Sequence, residues 1–151
     1  MWVEKNIVSI PSYRILHNII YVHIWIIIKE PSSLSELQEQ CGKRSSEFFN
    51  KEYDNGTVKT KDGTTTTQFT HHYNKKQNKC FLLLKSTHIF NDKKKGHRYL
   101  ENLLDINENK EYGYFIENVK SIVCFVLDKE CKSEQEWESL VKPYMEDWWK
   151  E

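Results

Sequence analysis

Apolar side chains recur every three or four residues from Leu34 onward, and this spacing predicts an amphipathic helix. Ser33 followed by Glu36 has the spacing of a capping box, which places the helix start near Leu34. The sequence Asp-Asn-Gly at residues 54–56 is typical of a helix end followed by a turn. The predicted apolar stripe contains Leu34, Leu37, Cys41, Ser45 and Phe48, and Phe49 broadens it.

From Thr57 the pattern changes to short apolar or threonine-rich runs that are separated by turn residues, which is typical of β-strands. The predicted strands cover residues 64–73, 80–87, 99–106, 112–116 and 120–127. Because consecutive strands with short links pair antiparallel, we expect a β-meander of about five strands.

A second amphipathic helix is predicted after Ser133 and Glu136, which repeat the capping-box spacing. Its apolar positions are Trp137, Leu140, Val141, Tyr144 and Met145. Pro143 lacks a backbone donor, so we expect the helix to kink or restart there. The predicted fold is therefore α+β: an antiparallel meander flanked by an N-terminal and a C-terminal helix in one domain, residues 34–151, after a leader, residues 1–33.

The leader contains the densest apolar run of the chain, residues 19–28. Ten helical residues span about 15 Å, half the hydrocarbon core of a bilayer, and extending the run back to residue 15 adds His17 and Asn18. A membrane association through residues 15–28, the apolar part of a secretory signal, and a buried strand rich in Ile and Val remain alternative interpretations.

At 151 residues with 22 basic and 22 acidic side chains, the chain has no net charge that would attract nucleic acid, so we predict no nucleic-acid partner. The charges are nevertheless segregated, with a lysine-rich stretch at residues 71–98. Lys75, Lys76, Lys79 and residues 93–95 are candidates for a basic patch that binds an acidic partner; solvated charges at turn tips are the alternative.

Four cysteines without a Cys-x-x-Cys spacing argue against a zinc ribbon and against a thioredoxin-like redox pair. Three disulfide connectivities are possible. Because Cys41 faces inward from the first helix and Cys80 opens a strand that should lie beneath it, we favour Cys41–Cys80, together with Cys124–Cys131 across a short turn. Four reduced, buried thiols in a cytosolic protein are the alternative.

Catalytic signatures are weak in this sequence. It contains no nucleophile elbow, Walker loop or dinucleotide fingerprint, and we predict no cofactor. His71 and His72 are weak metal candidates, because neighbours on a strand point to opposite faces. Trp148 and Trp149 at the chain end are candidates for contact with a partner or a membrane interface; packing in the core is the alternative.

Four blocks of the chain resemble a group of small, uncharacterised bacterial exported proteins and lipoproteins. These blocks are CGKRSSEFF (41–49), HHYNKKQNKCF (71–81), LLDINENKEYG (103–113) and CFVLDKECKSEQEW (124–137). The resemblance implies export, and it supports disulfides because all four cysteines lie in the blocks. Residues 1–33 contain no cysteine, so a lipid anchor of the lipoprotein type has no attachment site there.

We therefore expect a non-catalytic binding or interaction module of the periplasm or cell envelope, which uses its sheet face or basic turns to bind an as yet unknown protein or envelope partner. The alternatives are a metal-binding protein or small hydrolase that uses His71 or His72, and a carrier of a small apolar ligand in a cavity between sheet and helix.

Overall fold

The computed structural model describes residues 33–146. The predicted leader, apart from Ser33, and the candidates Trp148 and Trp149 lie outside these residues. In chain order the elements are α1 (Leu34–Tyr53), β1 (Thr57–Lys59), β2 (Gly63–Asn74), β3 (Lys79–Phe90), β4 (His97–Asp105), β5 (Lys110–Asn118), β6 (Ser121–Val126), β7 (Lys129–Glu130) and α2 (Glu134–Met145), with short 3-10 turns at Asp54–Gly56 and Lys93–Lys95.

The strands form one antiparallel sheet in sequence order, from β1 to β7, within the described residues. The predicted α+β class is confirmed, but the sheet has seven strands and the predicted five correspond to β2 to β6. The additional strands β1 and β7 are three and two residues long, too short to produce a periodic pattern. β7 forms because the chain reverses at Leu127, whose φ of 54° lets Lys129 pair with Val126.

The helix starts follow the predicted capping residues. The hydroxyl of Ser33 accepts a hydrogen bond from the Glu36 amide, and the Glu36 carboxylate accepts one from the Ser33 amide, at 3.2 and 3.3 Å. At α2, Ser133 caps the Glu136 amide in the same way, but the Glu136 carboxylate accepts from the Lys132 amide at 2.7 Å instead. In the second capping motif the return hydrogen bond therefore comes from the residue before the capping serine, and not from the serine itself.

Strand β3 is the centre of the fold because five consecutive residues, from Cys80 to Leu84, are buried. Neighbours on a strand point to opposite faces, so this strand needs a cover on both sides. Phe81 and Leu83 face α2, whereas Cys80, Leu82 and Leu84 face α1. The two helices of the described region therefore lie on opposite faces of the sheet.

The larger apolar cluster lies between the sheet and α2. Trp137, which is 1% exposed, packs beside Phe115, and Phe81 makes edge-on contacts with Tyr112 and Tyr144. A register shift beside Leu103 and Leu104 adds one residue to β5, and this bulge turns Tyr112 toward the cluster. α2 is assigned as one helix through Pro143, so the predicted restart at that residue does not occur.

Helix α1 covers β2 and β3 on the other face. Its buried residues are Cys41, Ser45 and Phe49, which confirms the inward direction predicted for Cys41, although Phe49 is more deeply buried than Phe48. The helix ends at Tyr53, and Asp54, Asn55 and Gly56 then adopt positive φ angles, as their composition predicts.

The cysteines pair as Cys41–Cys80 and Cys124–Cys131, with Cα atoms 5.4 and 5.0 Å apart. The first bridge joins α1 to the central strand, and the second joins β6 to the segment that precedes α2. All four cysteine residues are at most 3% exposed. The connectivity is therefore the one that the sequence favours, and it indicates an oxidising environment.

None of the helices within residues 33–146 combines the length and apolar character needed to cross a lipid bilayer.

Removing the helix-to-sheet bridge should destabilise the fold more than removing the local one. The Cys41–Cys80 bridge spans 39 residues and the Cys124–Cys131 bridge spans 7. In the loop-entropy description these lengths correspond to about 4 and about 2.5 kcal/mol. Urea unfolding of a Cys41→Ala/Cys80→Ala variant and of a Cys124→Ala/Cys131→Ala variant checks this order. Equal losses of unfolding free energy in the two variants would show that the bridge from α1 to β3 stabilises the fold no more than the short Cys124–Cys131 loop does.

Candidate functional site

Lys79, a candidate for the basic patch, is a structural residue rather than a free cation. Its ammonium lies 2.5 Å from the fully buried carboxylate of Asp105 and 2.8 Å from Glu108. Asp105 also accepts hydrogen bonds from the backbone amides of Asn107 and Glu108 in the β4–β5 turn. The hydrogen bonds that the Lys79 ammonium donates to Asp105 and Glu108 raise the pKa of Lys79 above its ordinary value. The ammonium therefore stays charged throughout the neutral range.

The remaining lysines of the predicted patch lie at opposite ends of the sheet. Lys75 and Lys76 lie in the turn that precedes β3, whereas Lys93–Lys95 follow its last residue. A strand of twelve residues is about 40 Å long, several times the distance over which charges interact in physiological salt. The prediction of one basic patch from both groups is therefore wrong, because strand β3 lies between them and separates them by its full length.

His71 and His72 point to opposite faces, as adjacent strand residues must. His71 pairs with Leu82 and lies over Gly42 of α1, where an added Cβ atom would approach its Nε2 atom to 2.7 Å. His72 pairs with Phe81, on the face of α2. Among residues 33–146, no group of three or more His, Cys, Asp or Glu side chains is arranged to hold a metal ion.

A groove of about 520 Å³ opens on the face of α2, beyond the N-terminal end of that helix. Its floor is formed by strands β2 to β5, and Glu134 in the first turn of α2 lies at its edge. Polar side chains supply most of the lining; they are Thr66, Gln68, Lys85, Thr87, Glu101 and Glu117. Tyr99, which is 40% exposed, and the buried Phe115 add aromatic surface.

One part of the lining of this groove is a charged network with defined geometry. The carboxylate of Glu101 accepts a hydrogen bond from the indole Nε1 of Trp137 at 2.8 Å and pairs with the Lys85 ammonium at 2.9 Å. The Glu101 side chain is 13% exposed, whereas that of Lys85 is 50% exposed. Glu101 is thus held by the core, and Lys85 remains partly available to a ligand.

The same Lys85–Glu101 pair borders a second groove, of about 570 Å³, which runs along α2. This groove is lined by Leu83, Trp137, Val141 and Met145 together with charged residues of the helix. The ion pair therefore divides the open surface beside α2 into a polar part and a more apolar part.

Sequence reasoning missed the groove residues. Lys85, Tyr99 and Glu101 belong to strands that were predicted, but their side chains come together only through the register in which Lys85 pairs with Glu101 and Thr87 pairs with Tyr99. The available signal was the alternation that places a charged residue, Lys85, directly after an apolar run in β3.

Comparison with protein-family models, with curated proteins and with solved structures finds no match to this chain. The resemblance to small exported bacterial proteins therefore stays a prediction.

Replacing Lys79 should destabilise the fold although the residue lies near a turn. In a Lys79→Met variant the buried Asp105 carboxylate loses its cation while its desolvation remains, so the urea midpoint should fall clearly. Lys75→Met, at an exposed position of the turn that precedes β3, should change the free energy of unfolding by no more than about 0.5 kcal/mol. Similar midpoints for both variants would contradict the structural role.

Between pH 7 and 9 this difference should stay constant. The pKa of Lys79 is raised on folding, so its contribution is complete below the unfolded-state pKa, about 10.4, and is lost only when the pH rises through the still higher folded value.

Proposed function

We propose that this chain is a non-catalytic binding module of the cell envelope or periplasm. We propose that it binds a polar, hydroxyl-rich ligand of the saccharide type in the groove of about 520 Å³ beyond the N-terminal end of α2. The observation that carries the proposal is the combination, on one rigid sheet face, of hydrogen-bonding side chains with an exposed aromatic ring. The volume of this groove falls within the range of small-ligand sites, roughly 300–1,000 Å³.

The groove offers both partners that a sugar hydroxyl needs. Lys85 and the amide of Gln68 donate hydrogen bonds, the carboxylates of Glu101 and Glu117 accept them, and the threonine hydroxyls do both. The Tyr99 ring presents a flat apolar surface, against which the C–H face of a sugar ring can stack.

The groove is also preorganised. Glu101 is oriented by Trp137, whose ring is buried in the main cluster, and Lys85 is oriented by Glu101. The β3–β4 pairing that sets their spacing is continuous from Phe81 to Ile89. Because these side chains already have partners that orient them, ordering them on ligand binding costs little free energy. Binding in the groove therefore needs no conformational change.

The extracytosolic location is supported by the disulfides. Structural disulfides persist in oxidising compartments and are rare in the cytosol. Export to the periplasm or envelope is the interpretation that combines these bridges with the resemblance to small exported proteins.

The alternative functions receive less support. An apolar carrier needs an enclosed apolar space between sheet and helix, but Phe81, Phe115 and Trp137 pack together beneath α2, and the groove along α2 is open and bordered by charged residues. A metal site built on His71 or His72 has little support, because residues 33–146 contain no group of three or more His, Cys, Asp or Glu side chains that could hold a metal ion, and the register of β2 places the two rings on opposite faces.

Thiol labelling tests the location. Protein isolated without reductant from its native source should take up no alkylating agent under denaturing conditions, and four equivalents after reduction, because all four cysteines are bridged. Intact mass measures both values. Four reactive thiols in the unreduced sample would refute the extracytosolic assignment.

Nuclear magnetic resonance titration tests the ligand class. Neutral trisaccharides based on glucose and on N-acetylglucosamine, added at millimolar concentration to the ¹⁵N-labelled chain, should shift the amide signals of Thr87, Tyr99 and Glu101. Tyr99→Ala should weaken binding by about fivefold, the loss expected for one stacking contact.

The matched control is Tyr114→Ala, the same substitution on the adjacent strand but on the opposite face, where Tyr114 pairs with Asn102 and packs beside Phe125. This variant should bind like the unchanged chain. If no saccharide shifts the groove signals, or if both variants lose affinity equally, the proposed ligand class is wrong.

A further inference from the structure

Three chain connections lie side by side at one end of the sheet. They join β1 to β2, β3 to β4 and β5 to β6, and together with the adjoining strand ends they comprise residues 57–62, 89–99 and 117–122. We call this surface the lysine end. It is distinct from the groove, which it touches only at Tyr99 and Glu117.

Direct contacts hold the three connections together. The Asn91 amide donates to the Asp62 carbonyl at 2.8 Å, and the Asn91 side chain donates to the Lys61 carbonyl at 3.0 Å. Arg98 donates from Nε to the Asn118 side chain at 2.9 Å. Gly96, at φ 68°, approaches Val119 so closely that an added Cβ atom would lie 2.9 Å from its Cγ2 atom. The lysine end is therefore one continuous surface.

This surface carries an excess of positive charge in a protein without net charge. Its cations are Lys59, Lys61, Lys93, Lys94, Lys95, Arg98 and Lys120, all exposed. Its carboxylates are Asp62, Asp92 and Glu117, which leaves an excess of four positive charges.

Two of the three carboxylates have local partners. Asp62 accepts from the Thr60 hydroxyl, and this hydrogen bond, with smaller contributions from His88 and Lys95, keeps its pKa below the usual range. Asp92 caps the 3-10 turn by accepting from the Lys94 amide at 3.0 Å. Asp62 and Asp92 thus stabilise the turns, and the lysines around them remain exposed.

Apolar side chains are exposed on the same three segments as these lysines. Among the described residues, the two most exposed large hydrophobics are Val119 at 70% and Ile89 at 61%, and both lie here. Val58, Tyr99 and Ile122 are also exposed at this end, by 43, 40 and 39%. Exposed apolar groups surrounded by polar residues mark surfaces that bind a partner.

We propose that the lysine end docks on an anionic lipid bilayer, with the lysines at the phosphate groups and with Val119 and Ile89 in the interfacial layer beneath them. The pairing of cations with projecting aliphatic side chains fits a partner that is anionic outside and apolar below. Hydrogen bonds between the connections keep the lysines of β3–β4 close to Val119, so one docking event can engage both kinds of group.

Other polyanions fit this surface less well. A single-stranded nucleic acid gains affinity from aromatic stacking, yet the most exposed apolar groups here are the aliphatic Val119 and Ile89. An acidic protein would form ion pairs with the lysines. A charged protein surface, however, offers no apolar layer for the side chains of Val119 and Ile89.

Vesicle co-sedimentation of the full chain tests this proposal. The chain should sediment with vesicles of equal parts phosphatidylcholine and phosphatidylglycerol, weakly with phosphatidylcholine alone, and less as salt increases. Replacing Lys93, Lys94 and Lys95 by Gln should weaken binding about 100-fold, since each lysine near an anionic surface contributes about fivefold.

The control replaces Lys75, Lys76 and Lys129 by Gln, an identical change in net charge at the opposite end of the sheet, and should bind like the unchanged chain. Val119→Ser should weaken binding, whereas Leu127→Ser, at an exposed turn of the opposite end, should not. Equal binding by both lysine variants would overturn the proposal, as membrane binding would then come from another part of the chain. It would also be overturned if polyglutamate or duplex DNA, but not the vesicles, bound in a manner that required Lys93, Lys94 and Lys95.

Discussion

The fold depends on the central strand β3, whose residues from Cys80 to Leu84 are buried on both faces. An antiparallel sheet can leave one face in water, but this strand cannot, because consecutive side chains are apolar and point in opposite directions. A helix is needed on each side, and the described chain places α1 on one face and α2 on the other. Cys80 adds a covalent link at the first buried position, so that α1 is held to the strand by both packing and a disulfide.

The polar features of the molecule are positioned by the same strand. Lys79, just before the buried segment, pairs with Asp105; Lys85, just after it, pairs with Glu101. The first pair has its carboxylate fully buried and belongs to the core, whereas the second leaves its lysine half-exposed and lies in the lining of the groove. A difference in solvent exposure thus separates a structural ion pair from a candidate binding pair of the same chemistry.

The proposed ligand groove and the proposed membrane surface lie on the same sheet and share only Tyr99 and Glu117. The groove is a polar concavity on the face of α2, and the lysine end is formed by three connections that are hydrogen-bonded to one another or to adjoining strands. A module that docks on a bilayer through its lysine end would hold the groove close to the membrane, where saccharide-bearing envelope components occur. The two proposals are tested separately, since Lys93–Lys95 do not line the groove.

The sequence by itself determined the α+β class, the five principal strands, both helices with their capping serines, and the disulfide pairing. These features depend on local periodicity, and the favoured pairing followed because Cys41 lies on an apolar helix stripe and Cys80 opens an apolar strand. The edge strands β1 and β7 were not predictable, since two or three residues have no measurable period. The tertiary structure alone decided which charges act together. The length of β3 separates Lys75 and Lys76 from Lys93–Lys95. The pairing of β3 with β4 brings Lys79 to Asp105, and its register brings together Lys85, Tyr99 and Glu101. Such groupings depend on distances between strands, which a pattern along one chain does not specify.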